Sequence, residues 1–485
     1  MLFNSFEYLI FFPLVFILYW SIKPERYRLQ NILLIAASYV FYAFWDWRFL
    51  FLLIFSTSLD YFTGLKIFGA GGNKRRKKAW LLTSIIINLG FLGFFKYYNF
   101  FVESFAELVQ NFGFQPNIWT LKILIPVGIS FYTFHGLSYV LDIYNGKIEP
   151  TRNVVDYSLF VSFFPLLVAG PIERATHLLP QLKRPRQFEY PRAVDGLKQM
   201  LWGLFKKIVI ADNCAPIVNQ IFDNYDIMPA NSLVLGAILF SFQIYGDFSG
   251  YSDIALGSAR LLGIELLRNF SYPYFSRDIA EFWRRWHISL TTWFRDYIYI
   301  PLGGSRVSKA KVIRNTFIIF LVSGFWHGAN WTFIVWGFLN AVYFLPLLLS
   351  KNNRKNLDIV AQGRILPTFR EFWSMLATFA LAAFGWIVFR AESITHAWHY
   401  VRKMFSESWL SLDIGQYEVG RSGVLLVVLL IIAFLVAEWF GRERPYALAG
   451  LFPKHRWLRY AVYYAIILVI LIYGGEGQQF IYFQF

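Results

Sequence analysis

Ser323-Gly324-Phe325-Trp326-His327-Gly328-Ala329-Asn330-Trp331 is a short polar interruption between two apolar runs that together occupy residues 316–349. At about 1.5 Å per helical residue, such runs cross or nearly cross a hydrocarbon layer roughly 30 Å thick. The stretch therefore reads as a loop between two membrane crossings. A titratable ring placed there is costly unless it faces protein or water, so His327 is a functional-site candidate by position.

The rest of the chain follows the same pattern. Hydrophobic residues make up 57% and charged residues 16% of the 485, and uncharged runs recur between residues 8 and 475. The expectation is an all-α polytopic membrane protein, one membrane-embedded domain over 1–485 with an extracytoplasmic C-terminal tail at 474–485. Crossings are placed near 8–22, 30–46, 48–66, 79–98, 118–140, 197–213, 231–246, 312–326, 331–349, 372–390, 423–440 and 460–473, about twelve in all. The one at 197–213 carries Lys198, Lys206, Lys207 and Asp212, which need protein or water around them. Residues 157–172 are apolar but broken by Pro165, Gly170 and Pro171, and read as re-entrant. Residues 1–20 lack a basic leader and a small-residue cleavage pattern, so they read as a retained first span. Cys214 is the only cysteine, which excludes an intramolecular disulfide and a cysteine-based metal cluster; no metal site is expected.

The formal net charge is +16. Its basic residues concentrate in alternate loops, after the first and third runs and within 183–192, 277–314, 351–370 and 442–459. That is the mark of the cytoplasmic side. Topology accounts for most of the excess without nucleic acid, and counting crossings puts both termini outside the cytoplasm.

On this map His327 lies about 20 Å up a helix from Arg314, inside the membrane. Gly324 and Gly328 permit close backbone approach or a helix break, and Asn330 offers an amide to hold a neutral imidazole in one tautomer. A core histidine bonded to a backbone carbonyl would satisfy the same pattern.

A second histidine lies in Ile279-Ala280-Glu281-Phe282-Trp283-Arg284-Arg285-Trp286-His287-Ile288-Ser289-Leu290. Apolar residues at 279, 282, 283, 286, 290, 293, 294 and 297 form one stripe at helical spacing. The expectation is one amphipathic interfacial helix, with Glu281, Arg284, Arg285, Arg295 and Asp296 on the wet side and His287 at the edge of the stripe. Arginines at lipid headgroups explain such a helix equally well, but leave the histidine unexplained.

Histidine can take a proton from a hydroxyl near neutral pH. A Gly-x-Ser-x-Gly elbow, a Walker-type loop and a Gly-x-Gly-x-x-Gly turn are all missing, so serine acylation, ATP hydrolysis and hydride transfer have no local support. Base-assisted acyl transfer from a thioester, shielded from water, remains. A transporter or flippase for an envelope glycan intermediate, with His327 as a proton relay, is the alternative; it leaves the two histidine motifs and the lack of an internal repeat unaccounted for. A scaffold for a polysaccharide machine would need neither histidine.

At these residues the chain resembles the membrane-bound O-acyltransferases. The segment 275–304, containing Glu281-Phe282-Trp283-Arg284-Arg285-Trp286-His287 and Trp293-Phe294-Arg295-Asp296-Tyr297-Ile298-Tyr299-Ile300-Pro301-Leu302-Gly303-Gly304, is similar to that family's signature, closest to its alginate O-acetylation branch. Trp326-His327-Gly328 matches the family's catalytic histidine, and His287 its second histidine. Tyr245-Gly246-Asp247-Phe248-Ser249-Gly250-Tyr251-Ser252-Asp253, Ala169-Gly170-Pro171-Ile172, Ser130-Phe131-Tyr132-Thr133-Phe134 and the opening Met1-Leu2-Phe3-Asn4-Ser5-Phe6 also match. The resemblance covers nearly the full length and is weak at 356–370 and 406–421.

The resemblance implies a bacterial cytoplasmic (inner) membrane enzyme. It would take an acetyl group from cytoplasmic acetyl-CoA, a substrate and not a bound cofactor, and pass it across the membrane to an exopolysaccharide or cell-wall glycan. His327 would be the base and His287 an orienting partner. Some of Arg277, Arg284, Arg285 and Arg295 would hold donor phosphates, although membrane-surface topology accounts for most of them. Trp326, Asn330, Asp247, Ser249 and Tyr251 are cavity candidates. Phe480, Tyr482 and Phe485 are spaced like a Phe-x-Tyr-x-x-Phe tail of bacterial envelope acylation systems, which makes Tyr482 an acyl relay candidate serving an extracytoplasmic transferase partner. An aromatic membrane anchor is the plainer reading of that tail. His135 reads as a satisfied intramembrane histidine, and His177, His396, His399 and His455 carry no assigned role.

Overall fold

A computed structural model of the chain describes residues 1–114, 120–121, 123–168, 170–406, 417–451, 455–474 and 477–481. Among them every regular element is helical. Among the described residues seven helices are long and apolar enough to cross a membrane: Arg48–Gly69, Lys74–Gln110, Ala230–Leu261, Trp331–Leu349, Phe369–Arg390, Gly420–Gly441 and Arg456–Tyr473. An eighth arises if Phe6–Ser21 and Pro24–Asp46, bent by 113°, count as one span. The chain is thus a multi-pass membrane protein. Of the other expected crossings, 118–140 yields only the 16-residue helix Ile129–Tyr144, buried along nearly its whole length. The crossing at 197–213 runs through Tyr190–Leu204 into a π-helical segment, Phe205–Ala211.

Helix starts follow local chemistry. Ser5 accepts the Tyr8 N–H, Asn73 that of Arg76 and Asn330 that of Thr332, each side chain replacing a bond the first turn cannot make. Thr368 and Glu371 form a reciprocal capping box ahead of Phe369–Arg390.

Contacts group the chain into two compact units. The first comprises Met1–Ala193 and Ala259–Leu267. Its interior holds a polar cluster in which Ser84 and Asn88 donate to Asp60 at 2.6 and 2.8 Å, and Ser56 donates to Asn88 at 2.8 Å. With no water available, a carboxylate at that depth needs such donors. The region expected to be re-entrant is a broken pair, Val154–Ser162 and Phe164–Leu167, with Pro165 in the first turn of the second piece. The Phe164 N–H at the break donates to Ser38 Oγ at 3.0 Å.

The second unit comprises Val194–Ser258 and Arg268–Phe485. Its core is aromatic, with Trp386 in contact with both Trp286 and Trp336. Lys309–His327 and Trp331–Leu349 form a tight helical hairpin. Two glycines set how closely they cross: a Cβ on Gly324 would lie 2.2 Å from the Phe333 carbonyl oxygen, and one on Gly337 2.4 Å from that of Phe320. His327 is the last residue of the first helix.

The stretch 279–297 departs from the single amphipathic helix expected of it. Helix Ile279–Arg285 ends where the Trp286 N–H closes on the Phe282 carbonyl, and a second helix, Ile288–Phe294, starts anew. Between them His287 is left-handed, with φ 42° and ψ 53°. For a residue with a Cβ this conformation costs on the order of 1–2 kcal/mol. Apolar spacing carries no trace of the break, because the stripe continues in phase across it.

Candidate active site

The two breaks bring the histidines to one wall. Trp326 lies between them, its ring centroid 5.8 Å from that of His287 and 4.9 Å from that of His327. Both imidazoles are buried, at 1% and 4% exposure. His327 is boxed by the edges of Trp336 and Phe389, at 5.1 and 5.3 Å. His287 meets Phe248 edge to face at 4.7 Å. Burial pushes the His287 pKa down to about 3, so this ring is neutral throughout the physiological range.

The left-handed His287 is pinned from the C-terminal side. The Ile288 N–H donates to the Asn269 carbonyl at 2.9 Å, Ser289 Oγ donates to Asn269 Oδ1 at 2.6 Å, and Asn269 Nδ2 donates to Ser252 Oγ at 3.0 Å. The chain tolerates the strained residue because this network fixes the one after it.

The C-terminal segment reaches the same wall. Phe480 is buried against Tyr251 at 4.6 Å and Phe248 at 6.2 Å, and the Ile481 N–H donates to Asp247 at 2.6 Å. Two sequence candidates, Asp247 and Tyr251, thus contact the end of the chain. Tyr482, the relay candidate, lies outside the described residues.

Comparison with known proteins bears on what such a site does. Residues 148–380 match the model of the membrane-bound O-acyltransferase family. The chain is 40% identical over 448 residues to the protein named "Probable alginate O-acetylase AlgI" in Pseudomonas aeruginosa, covering 92% of this chain and 82% of that one. It is 35% identical to the peptidoglycan O-acetyltransferase of Helicobacter pylori, over 83% of this chain and 79% of the relative. A teichoic acid D-alanyltransferase of Bacillus subtilis is 29% identical over 58% of this chain and 73% of its own length. The chain belongs to the membrane-bound O-acyltransferase family. It is an O-acyltransferase, as the paired histidine motifs led us to expect.

Within this membrane-bound O-acyltransferase the arginines are used differently from the expectation. Glu281, expected on the wet side, is buried and accepts from Arg277 at 3.0 and 3.1 Å and from Arg285 at 3.0 and 2.8 Å. Arg284 donates to the Asn353 and Asn356 carbonyls at 2.8 and 2.7 Å, and Arg277 and Arg285 both reach the Asp358 carbonyl at 2.9 Å. Hydrogen bonding from Arg277 holds the Asp358 carboxyl below the usual range. The guanidinium forks therefore fasten segment 353–358, and their donors are committed to protein acceptors. Arg295 is exposed and pairs with its neighbour Asp296 at 2.8 Å.

Asn330 likewise has another task. It caps Trp331–Leu349 and donates to the Glu392 carbonyl at 2.8 Å, holding the hairpin turn and not the imidazole. Ser249 lines a small open pocket whose walls also carry Lys206, Tyr245, Asp253, Arg268, Asn269 and Glu438. Neither histidine lines it. Phe270 also lines it and packs edgewise on Trp286 at 5.1 Å. Sequence reasoning missed Asn269, Trp336 and Phe389, none of which carried a signal.

Proposed function

We propose that this O-acyltransferase takes an acetyl group from cytoplasmic acetyl-CoA and passes it across the bacterial inner membrane, for O-acetylation of an extracytoplasmic polysaccharide of the alginate or cell-wall type. The observation that carries the reading is the buried wall His287–Trp326–His327, with the C-terminal segment seated against it. His327 acts as general base and His287, neutral and conformationally fixed, orients the reacting hydroxyl. The cavity beside Asn269 supplies the donor's entry. Pro445 and Tyr446, which line it, belong to the basic segment 442–459 that charge placement assigns to the cytoplasm.

The acceptor of the first transfer is the Tyr482 phenol. A phenol with an ordinary pKa near 10 attacks a thioester carbonyl only when a base removes its proton. His327 takes that proton, the acyl–oxygen bond forms, and the CoA thiolate leaves and recovers a proton. The tyrosyl ester then delivers acetyl to a partner transferase outside the cytoplasm. The names of the relatives, which cover alginate, peptidoglycan and teichoic acid, support an envelope glycan as final acceptor.

The test is His327→Ala in membranes where the protein inserts at wild-type levels, following labelled acetyl into envelope glycan. Loss of label with glycan export intact supports the reading, and undiminished label removes it. Tyr482→Phe is expected to abolish delivery while donor binding persists.

A further inference from the structure

Two adjacent lysines lie in the π-helical segment Phe205–Ala211, and each is matched to a different acid of helix Ala230–Leu261. The widened turn and the crossing glycines make this possible. A Cβ on Gly246 would lie 2.9 Å from the Lys206 carbonyl oxygen, and one on Gly250 2.9 Å from the Lys207 nitrogen. Lys206 pairs with Asp253 at 2.6 Å, one charge against one. Lys207 meets both Asp247 and Asp212 at 2.7 Å, so one ammonium serves two carboxylates almost sealed from solvent.

That imbalance is made good by the end of the chain. Asp247 receives the Ile481 N–H at 2.6 Å, and Lys207 donates to the Gln478 carbonyl at 3.0 Å. An ammonium has three N–H groups, and Asp212, Asp247 and Gln478 use all three. Were the segment to leave, the cluster would keep two acids and lose both a donor and an acceptor, which is expensive where water is scarce. The interaction is directional as well as attractive. It fixes the backbone at 478 and at 481, and leaves Phe480 against Phe248, the ring that touches His287.

We propose that Lys207, Asp247 and Asp212 are positioning residues that dock the chain's own C-terminal segment, residues 478–481, beside His287 and thereby support acyl delivery. The docking stands on the contacts above; its catalytic consequence rests on the reading of Tyr482 as acyl carrier.

Ile481→Pro removes the N–H given to Asp247 and leaves the cluster itself untouched, whereas Ile481→Ala keeps it. In a Cys214→Ser background carrying Phe480→Cys, maleimide labelling in intact membranes reports whether the segment is seated. Labelling is expected to be about tenfold or more faster with Ile481→Pro than with Ile481→Ala, the scale of one lost hydrogen bond to a charged group. The charge-neutral pair Lys207→Met with Asp247→Asn should show the same acceleration. Without the labelling substitution, Ile481→Pro should cut acetyl delivery about tenfold with the KM for acetyl-CoA unchanged. Equal labelling of the Pro and Ala variants overturns the docking, and rapid labelling with undiminished delivery overturns the positioning role. Normal delivery by Tyr482→Phe, with the labelling contrast intact, removes the carrier reading and leaves the docking supported.

Discussion

Asn269 takes the Ser289 hydroxyl at 2.6 Å and, through its backbone carbonyl, the N–H of the residue just before it. One asparagine therefore fixes the first turn after the left-handed His287 from two directions. Asn269→Ala should release His287 from its strained conformation. We expect a loss of about 1–3 kcal/mol in stability from the orphaned partners, and a fall in the maximal acetyl-transfer rate larger than any change in donor KM. A variant that loses stability but keeps its rate would show that the imidazole needs no such support.

The hairpin that ends on His327 makes a steric prediction. Gly324→Ala places a methyl group against the Phe333 carbonyl, and the two helices must part. Overpacking of this kind costs about 1–3 kcal/mol, and the shift is passed to the residue three positions on. Thermal unfolding in detergent and transfer rate should therefore fall together in Gly324→Ala. Gly69→Ala, where a Cβ meets nothing within 4 Å, should leave both unchanged.

Much of this was legible beforehand. The second arm of the hairpin begins and ends where the apolar run does, at Trp331 and Leu349, and the two histidines share a wall as their motifs suggested. Lys206 and Lys207, inside 197–213, found the protein partners their depth demanded. The break at His287 was not legible, because hydrophobic phase is preserved through it and the Asn269 contacts that impose it come from elsewhere in the chain. The acceptors of Arg277, Arg284 and Arg285 were not legible for a related reason: composition identifies a cation but not its acceptor, and backbone carbonyls of 353–358 leave no mark in a sequence. Residues 118–140 read as one crossing because the buried helix Ile129–Tyr144 is as apolar as a lipid-facing one.

For the arginines the structure gives a clear discrimination. Arg284 spends its fork on two backbone carbonyls, a geometry lysine cannot reproduce. Arg284→Lys should lower the unfolding midpoint and make segment 353–358 more susceptible to protease, with the KM for acetyl-CoA within about twofold of wild type. A rise in KM of about tenfold or more, the scale of a lost charge-assisted phosphate contact, with segment 353–358 still protected, would return Arg284 to the donor site.

His287 also makes stability depend on pH. Its folded pKa is about 3, against about 6.5 in an unfolded chain. Between those values the unfolded state holds a proton that the folded state does not, so stability falls as pH drops below 6.5 and is unaffected by this residue above it. At pH 5 the difference amounts to about 2 kcal/mol. Unfolding of wild type and His287→Asn, compared at pH 7.5 and 5.0 in the same detergent, should show wild type losing more on acidification by about that amount. If the gap between the two proteins is the same at both pH values, the buried imidazole is protonated as readily as an exposed one, and its assignment as a neutral orienting group is wrong. Because His327 is the proposed base and His287 stays neutral, the acid limb of the transfer rate should also survive in His287→Asn at reduced amplitude, its midpoint unmoved.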